Sequence, residues 1–278
     1  PILIYIYYVY IESWLLGYAY FAATGAYKGC TDQTGMQAFL DGYRGLVRNQ
    51  HFSGISTAYA FFVATFIANL AVVYCGIQRG IEAVCKYALA VLFVVGVVLV
   101  ARVFTLGAPD PQRPENSVLA GLGFLWNPDW SRLREAKVWL AAAGQIFFTL
   151  SVGIGVILTY ASYLTRRDDV ALSGLTAASA NEVAEVVLGG SIVIPAGVAF
   201  FGVAGVSGQG AFDLGFVTMP LVLQRMAYGN VFGVLWFVLL FLAGITSSIS
   251  LAQPAVAFLE DEFNLLSLIH ISEPTRPY

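Results

Sequence analysis

Only 11% of the 278 residues are charged and 58% are hydrophobic, against roughly 25% charged in soluble domains; this excludes an ordinary water-soluble fold and points to a membrane protein. The formal net charge of −3 lacks the basic surface that nucleic acids require, so no nucleic-acid partner is expected. Cys30, Cys75 and Cys85 follow no disulfide or metal spacing and are read as structural or incidental.

A membrane span needs about 20 mainly apolar residues. Six stretches qualify, at 1–23, 52–75, 81–106, 138–164, 172–206 and 231–258. The chain starts without Met inside the apolar run PILIYIYYVYIESWLLGYAY, so it is expected to be a fragment whose first helix has lost its start. That first span carries Tyr7, Tyr8 and Tyr10 with Glu12, and a buried tyrosine hydroxyl needs a partner in another helix or in a bound carboxylate. The third span, KYALAVLFVVGVVLVARVF, is the least interrupted.

The fourth span, VWLAAAGQIFFTLSVGIGVILTYASY, gathers Gln145, Thr149, Ser151, Gly153 and Gly155 at its middle. Glycines beside hydroxyls at mid-depth suggest a helix that breaks around a small polar ligand, which points to transport. The hydroxyls of Thr149 and Ser151 either face that ligand or bond back to carbonyls of an intact helix. The fifth span holds Asn181, Glu182, Glu185 and Pro195, so part of it must face protein or water. Asn181 and Glu185 stand four apart and share a helix face, as cation ligand and fixed negative charge or proton carrier, or as a helix–helix hydrogen bond. In the sixth span, LAGITSSISLAQ clusters Thr246, Ser247, Ser248 and Ser250, which serve either close helix packing or a second cation.

The connections alternate: long at 24–51, 107–137 and 207–230, short at 76–80 and 165–171. The short ones carry Arg79, with Lys86 nearby, and Arg166 with Arg167, which places the short side in the cytoplasm. The long ones also carry Lys28, Arg44, Arg48 and Arg113, so loop length carries that assignment. Turn chemistry marks APDPQRPEN and LWNPDW. Trp126, Trp130 and Trp139 form either an interfacial aromatic belt or ordinary loop packing. No period of about 20 to 50 residues repeats. There is no P-loop, zinc spacing, G-x-S-x-G or nucleophile–base pair in the spans, so no enzyme is expected. Residues 266–277, LSLIHISEPTRP, look like the translation of a transposase sequencing adapter; 266–278 are set aside as read-through and not native.

Taken together, IYYVYIESW, FLWNPDW, GQIFFTLSVGIG, LSGLTAASANEVAE and AGITSSISLAQP resemble the neurotransmitter:sodium symporter family, specifically its bacterial amino-acid transporters of the leucine-transporter type. The resemblance implies an all-α polytopic bundle, part of a five-helix inverted-repeat fold with a broken central helix, in which this chain covers helices three to eight. It implies Na⁺ as coupling ion with no organic cofactor, an amino-acid substrate, the lipid bilayer as surroundings and multi-pass location in a bacterial inner membrane; it implies no oligomeric state. Thr149 and Asn181 resemble ligands of a first sodium site. Ala243, by its carbonyl, with Thr246 and Ser247 resemble those of a second. Tyr8 matches a tyrosine that holds the substrate carboxylate, and Ile4, Phe148, Ser151, Ile154, Ser250 and Leu251 would line the side-chain pocket, with Phe148 as its lid. Glu185 stands where chloride-dependent relatives have a small hydroxyl residue, so chloride independence is expected. Ile154 stands where some relatives have Phe, and Ala90 where a helix-unwinding proline often follows Gly80 by ten residues. The implied activity is sodium-coupled symport of a small apolar amino acid by alternating access, lost in the fragment itself; the alternative is a transport-dead homologue acting as a sensor or partner-binding subunit.

Overall fold

The computed structural model describes residues 1–263, which are helical and contain no strand; the segment set aside at 266–278 lies outside the described residues. Five helices are long and apolar enough to cross a membrane: Ile2–Thr24, Ser56–Tyr74, Ile77–Phe104, Val170–Val206 and Gly229–Glu262. The first is α1. The second is α3. The third begins as a π turn, Ile77–Glu82, and continues as α4, Ala83–Phe104. The fourth comprises α8 (Val170–Glu182), a second π turn (Val183–Gly189) and α9 (Gly190–Val206), with Pro195 inside. The last is α12, 34 residues long, with Pro254 inside. The remaining predicted span, 138–164, is two pieces, α6 (Ala136–Thr149) and α7 (Val156–Ser162).

Two expectations about the connections are corrected. The loop placed at 76–80 is a reversal at Gly76 alone, whose φ of 76° and ψ of −171° only glycine adopts readily, after which the chain winds again from Ile77. The long connections also hold helices too short to register as spans. In the first, α2 (Gln33–Tyr43) starts at Asp32, whose carboxylate accepts from Gly35 N at 2.7 Å. In the second, α5 (Val118–Trp126) starts at Ser117, whose hydroxyl accepts from Ala120 N at 3.1 Å, and a 3₁₀ turn follows at Trp130–Arg134. In the third, α10 (Ala211–Asp213), a π turn (Leu214–Thr218) and α11 (Met219–Gln224) run consecutively. Phe216 and Leu221 to Leu223 are buried there, so this connection belongs to the core.

The core lies where α1 packs along α12, with α2 and the segment from α10 to α11 closing one end. Its centre is aromatic. Tyr18 meets Phe216 edge-on at 5.1 Å and Phe237 at 5.0 Å, and Phe21 meets Tyr43 at 5.0 Å. These separations are those favoured by aromatic quadrupoles. Away from the core, α3 exposes Tyr59, Val63, Ile67, Leu70 and Tyr74 along one stripe, and α4 exposes Tyr87, Val91, Val94 and Val98. Such stripes suit acyl chains. Trp126, Trp130 and Trp139 are all exposed, and the Trp139 indole donates to Leu133 O at 2.8 Å. The three cysteines are free thiols.

Tyr18 is wholly buried, yet its hydroxyl has no partner among the described residues. Tyr18→Phe removes an unsatisfied polar group and is expected to stabilise the full-length protein by about 1–3 kcal/mol. Tyr18→Ala leaves a cavity and is expected to destabilise it by about 3–5 kcal/mol. Thermal melting in detergent reads both, and a loss of stability in the Phe variant contradicts the assignment.

Candidate functional site

The helix of the fourth span stops because its backbone changes hand. After Thr149, Leu150 takes φ −87° and ψ 5°, and positive φ follows at Ser151 (55°), Gly153 (85°) and Gly155 (89°) before α7 begins. The two glycines adopt this region freely, whereas at Ser151 it costs about 1–2 kcal/mol. Leu150, Ser151 and Val152 still donate to carbonyls of the last turn of α6, at 2.9–3.1 Å. The N–H groups of Gly153, Ile154 and Gly155 make no hydrogen bond among the described residues.

Polar side chains converge on the end of α6. Thr149 Oγ1 accepts from Asn181 Nδ2 at 2.8 Å and donates to Glu185, whose other carboxylate oxygen accepts from Gln145 Nε2. Gln145 and Thr149 are one helical turn apart on α6. Asn181 and Glu185 are similarly spaced where α8 passes into its π turn. Two matched pairs of neighbours thus face each other. The wider π turn, a frequent feature of functional helices, presents Glu185. The hydroxyl of Thr149 points across to the neighbouring helix and not back into its own.

This cluster opens on a cleft of about 280 Å³ lined by Thr149, Leu150, Ser151 and Val156 of the broken span, Asn181 of α8, and Thr246, Ser247 and Ser250 of α12. Thr246 Oγ1 donates to Leu242 O and Ala243 O at 3.1 and 3.0 Å, and Ser247 Oγ to Ala243 O at 3.2 Å. Their hydrogens are thereby committed to the backbone, which leaves the lone pairs of both oxygens available. Ser250 Oγ donates to Thr246 O at 2.9 Å and accepts from Tyr160 Oη at 3.1 Å, joining α7 to α12. Asn181 Oδ1 has no hydrogen bond among the described residues. Hydroxyl and amide oxygens of this kind are hard ligands for a hard cation.

Of the residues assigned to a substrate pocket, Tyr8, Ile154 and Leu251 pack together with Phe62, Phe66 and Tyr160 around Tyr5, Val9 and Val156. Ser151 and Ser250 line the cleft itself. Ile4 and Phe148 stand apart, 38% and 72% exposed. The Ala243 carbonyl is occupied by the two hydroxyls beyond it, and Ala243 does not line the cleft. Gln145, which joins the cluster at Glu185, was not among the assigned site residues; its position four residues before Thr149 was the available signal.

The connection into α8 is ordered by its own acids. Asp168 accepts from Thr165 N at 2.5 Å and Thr165 Oγ1 at 2.8 Å, which holds its carboxyl below the ordinary value. Asp169 caps α8 by accepting from Leu172 N at 2.9 Å.

A solved structure shares this fold. The crystal structure of MhsT in complex with L-phenylalanine is 29% identical, with a TM-score of 0.75 over 95% of this chain and 54% of that one. Two sequence relatives agree. An uncharacterized sodium-dependent transporter of Methanocaldococcus jannaschii is 30% identical over 93% of this chain and 51% of its own length. The sodium-dependent transporter YhdH of Bacillus subtilis is 28% identical over 90% of this chain and 50% of its own. The chain thus spans about half the length of the curated relatives it matches. By class it is an integral, multi-pass helical protein with the fold of a membrane transporter. The profile of the Sodium:neurotransmitter symporter family matches residues 45–272, and the chain belongs to that family.

The positive φ of Ser151 predicts how the break responds to substitution. Ser151→Val in the full-length protein is expected to lower stability by about 1–2 kcal/mol, because a branched side chain is strained there. Ser151→Gly is expected to leave it unchanged or raise it. Equal melting temperatures for Val and Gly contradict the left-handed assignment.

Proposed function

We propose that this chain is part of a sodium-coupled symporter for a small apolar amino acid, working by alternating access and without chloride. The observation that carries the proposal is the cleft at the helix break, which gathers the oxygens of Thr149, Asn181, Thr246 and Ser247 from three separate stretches of chain. In this reading Thr149 and Asn181 hold a first Na⁺ that the substrate carboxylate also touches. Ala243, Thr246 and Ser247 hold a second. Tyr8 binds the substrate carboxylate. Ile4, Phe148, Ser151, Ile154, Ser250 and Leu251 surround the substrate side chain, and Phe148 closes over it. The solved relative is a complex with L-phenylalanine, which supports an amino acid as cargo.

Glu185 supports the chloride assignment. Its carboxylate already sits between Gln145 and Thr149, and a second anion beside it would be repelled. Coupling follows from shared ligands: a carboxylate that completes a sodium site raises sodium affinity, and sodium raises substrate affinity by the same factor. The sites carry cargo and no nucleophile–base pair, so the reading is transport and not catalysis. The membrane is a bacterial inner membrane.

Uptake of labelled amino acids into vesicles holding the full-length protein, with and without Na⁺, tests the proposal. Sodium-dependent uptake is expected, and its absence with substrate binding retained favours a sensor. Asn181→Ala removes one cation ligand and is expected to weaken sodium binding by about 1–3 kcal/mol, about tenfold in half-saturating Na⁺. A wild-type sodium titration in that variant refutes its role.

A further inference from the structure

Glu12 lies within α1 with 1% of its surface exposed, and the transport reading leaves it without a task. Asn69 Nδ2 of α3 lies 3.2 and 3.4 Å from its two carboxyl oxygens. Asn69 Oδ1 accepts from Ser248 Oγ of α12 at 2.7 Å. Asn69 and Ser248 are wholly buried, and a further bond from Asn69 Nδ2 to Thr65 O at 3.1 Å fixes which way the amide faces. Gly244 lets α12 come this close: a Cβ there would sit 3.2 Å from Glu12 Cγ.

No cation answers this acid. The titratable groups that face it are Tyr5 and Tyr8 of its own helix. Thr65 and Asn69 come from α3, which contains no charged residue, and Ser248 comes from α12, whose charged residues are confined to Glu260, Asp261 and Glu262 at its far end. Among the described residues no Lys, Arg or His pairs with Glu12. An ionised carboxylate in such a place is an uncompensated buried charge.

Asn69 in turn donates to Glu12 and accepts from Ser248, so a chain of hydrogen bonds runs from α12 through α3 to the carboxyl, and every member of it is neutral when Glu12 holds a proton.

We infer that Glu12 is a proton-binding site, occupied in this conformation, at the end of a hydrogen-bonded chain that joins α1, α3 and α12 through Asn69 and Ser248. Ser248 follows Ser247 directly, so this chain sets the rotation of α12 at the cleft. If the transport reading above holds, loss of the chain displaces Ser247 and lowers uptake.

The test compares the full-length protein in lipid vesicles with Glu12→Gln and Glu12→Ala. Infrared difference spectroscopy at neutral pH is expected to show the carbonyl stretch of a buried protonated carboxyl that both variants lose; no band lost on substitution overturns the inference. A glutamine carbonyl accepts from Asn69 as the carboxyl does, so Glu12→Gln keeps the chain, and its uptake is expected within about threefold of wild type, against a loss of about tenfold or more in Glu12→Ala. A Gln variant as impaired as the Ala variant also overturns it. The infrared band does not depend on uptake, so a wild-type protein that shows the band but takes up no amino acid refutes the transport reading alone.

Discussion

Hydrocarbon offers a polypeptide backbone no hydrogen bonds, so a spanning segment that stops being helical must find its partners in protein, water or ligand. The stretch between α6 and α7 is where this chain meets that constraint. Three successive N–H groups there are without acceptors among the described residues, and the polar side chains of α6, α8 and α12 gather at the same level. Thr149 is the pivot, accepting from Asn181 and donating to Glu185. A break without this cluster would expose bare amides to lipid. The cluster without a break would have no cleft to line.

The second organising element is α12, which serves three surroundings at once. Phe237 reaches the aromatic core around Tyr18, Thr246 and Ser247 line the cleft, and Ser248 enters the buried chain through Asn69 to Glu12. Thr246, Ser247 and Ser250 commit their hydrogens to backbone carbonyls of the preceding turn. That habit costs little where no water competes, and it turns the oxygen lone pairs outward.

Much of this was legible in the residue pattern, and what was not has identifiable causes. The spans stood out because uninterrupted apolar runs of that length seldom occur outside a bilayer. The break at 150–155 was legible because glycines and hydroxyls in mid-span are costly without a purpose. Asn181 and Glu185 were recognisable as sharing a face, but nothing local reveals that the face meets Thr149, 32 and 36 positions earlier. Glu12 was conspicuous, yet its partner Asn69 is 57 positions away, and that partner's own partner Ser248 a further 179. The helices from α10 to α11 were read as a connection because a run shorter than a span carries no membrane signal, although tertiary packing buries it. The reversal at Gly76 was drawn as five residues of loop because a pattern cannot reveal that one glycine is enough.

The adjacency of Ser247 and Ser248 has a further consequence. Successive residues on an α-helix point about 100° apart, since about 3.6 residues complete a turn. The two serines therefore serve different compartments only while the count of residues between Phe237 and Pro254 stays as it is. Inserting or deleting a single codon in that interval would turn the hydroxyls meant for the cleft toward lipid or core and take Ser248 away from Asn69. In the Pro- and polar-rich turn at 108–116 the same editing would lengthen a surface excursion and disturb neither. Tolerance of this gene to length change is thus set by which side chains must keep a common phase, and α12 is a ruler whose graduations cannot slip.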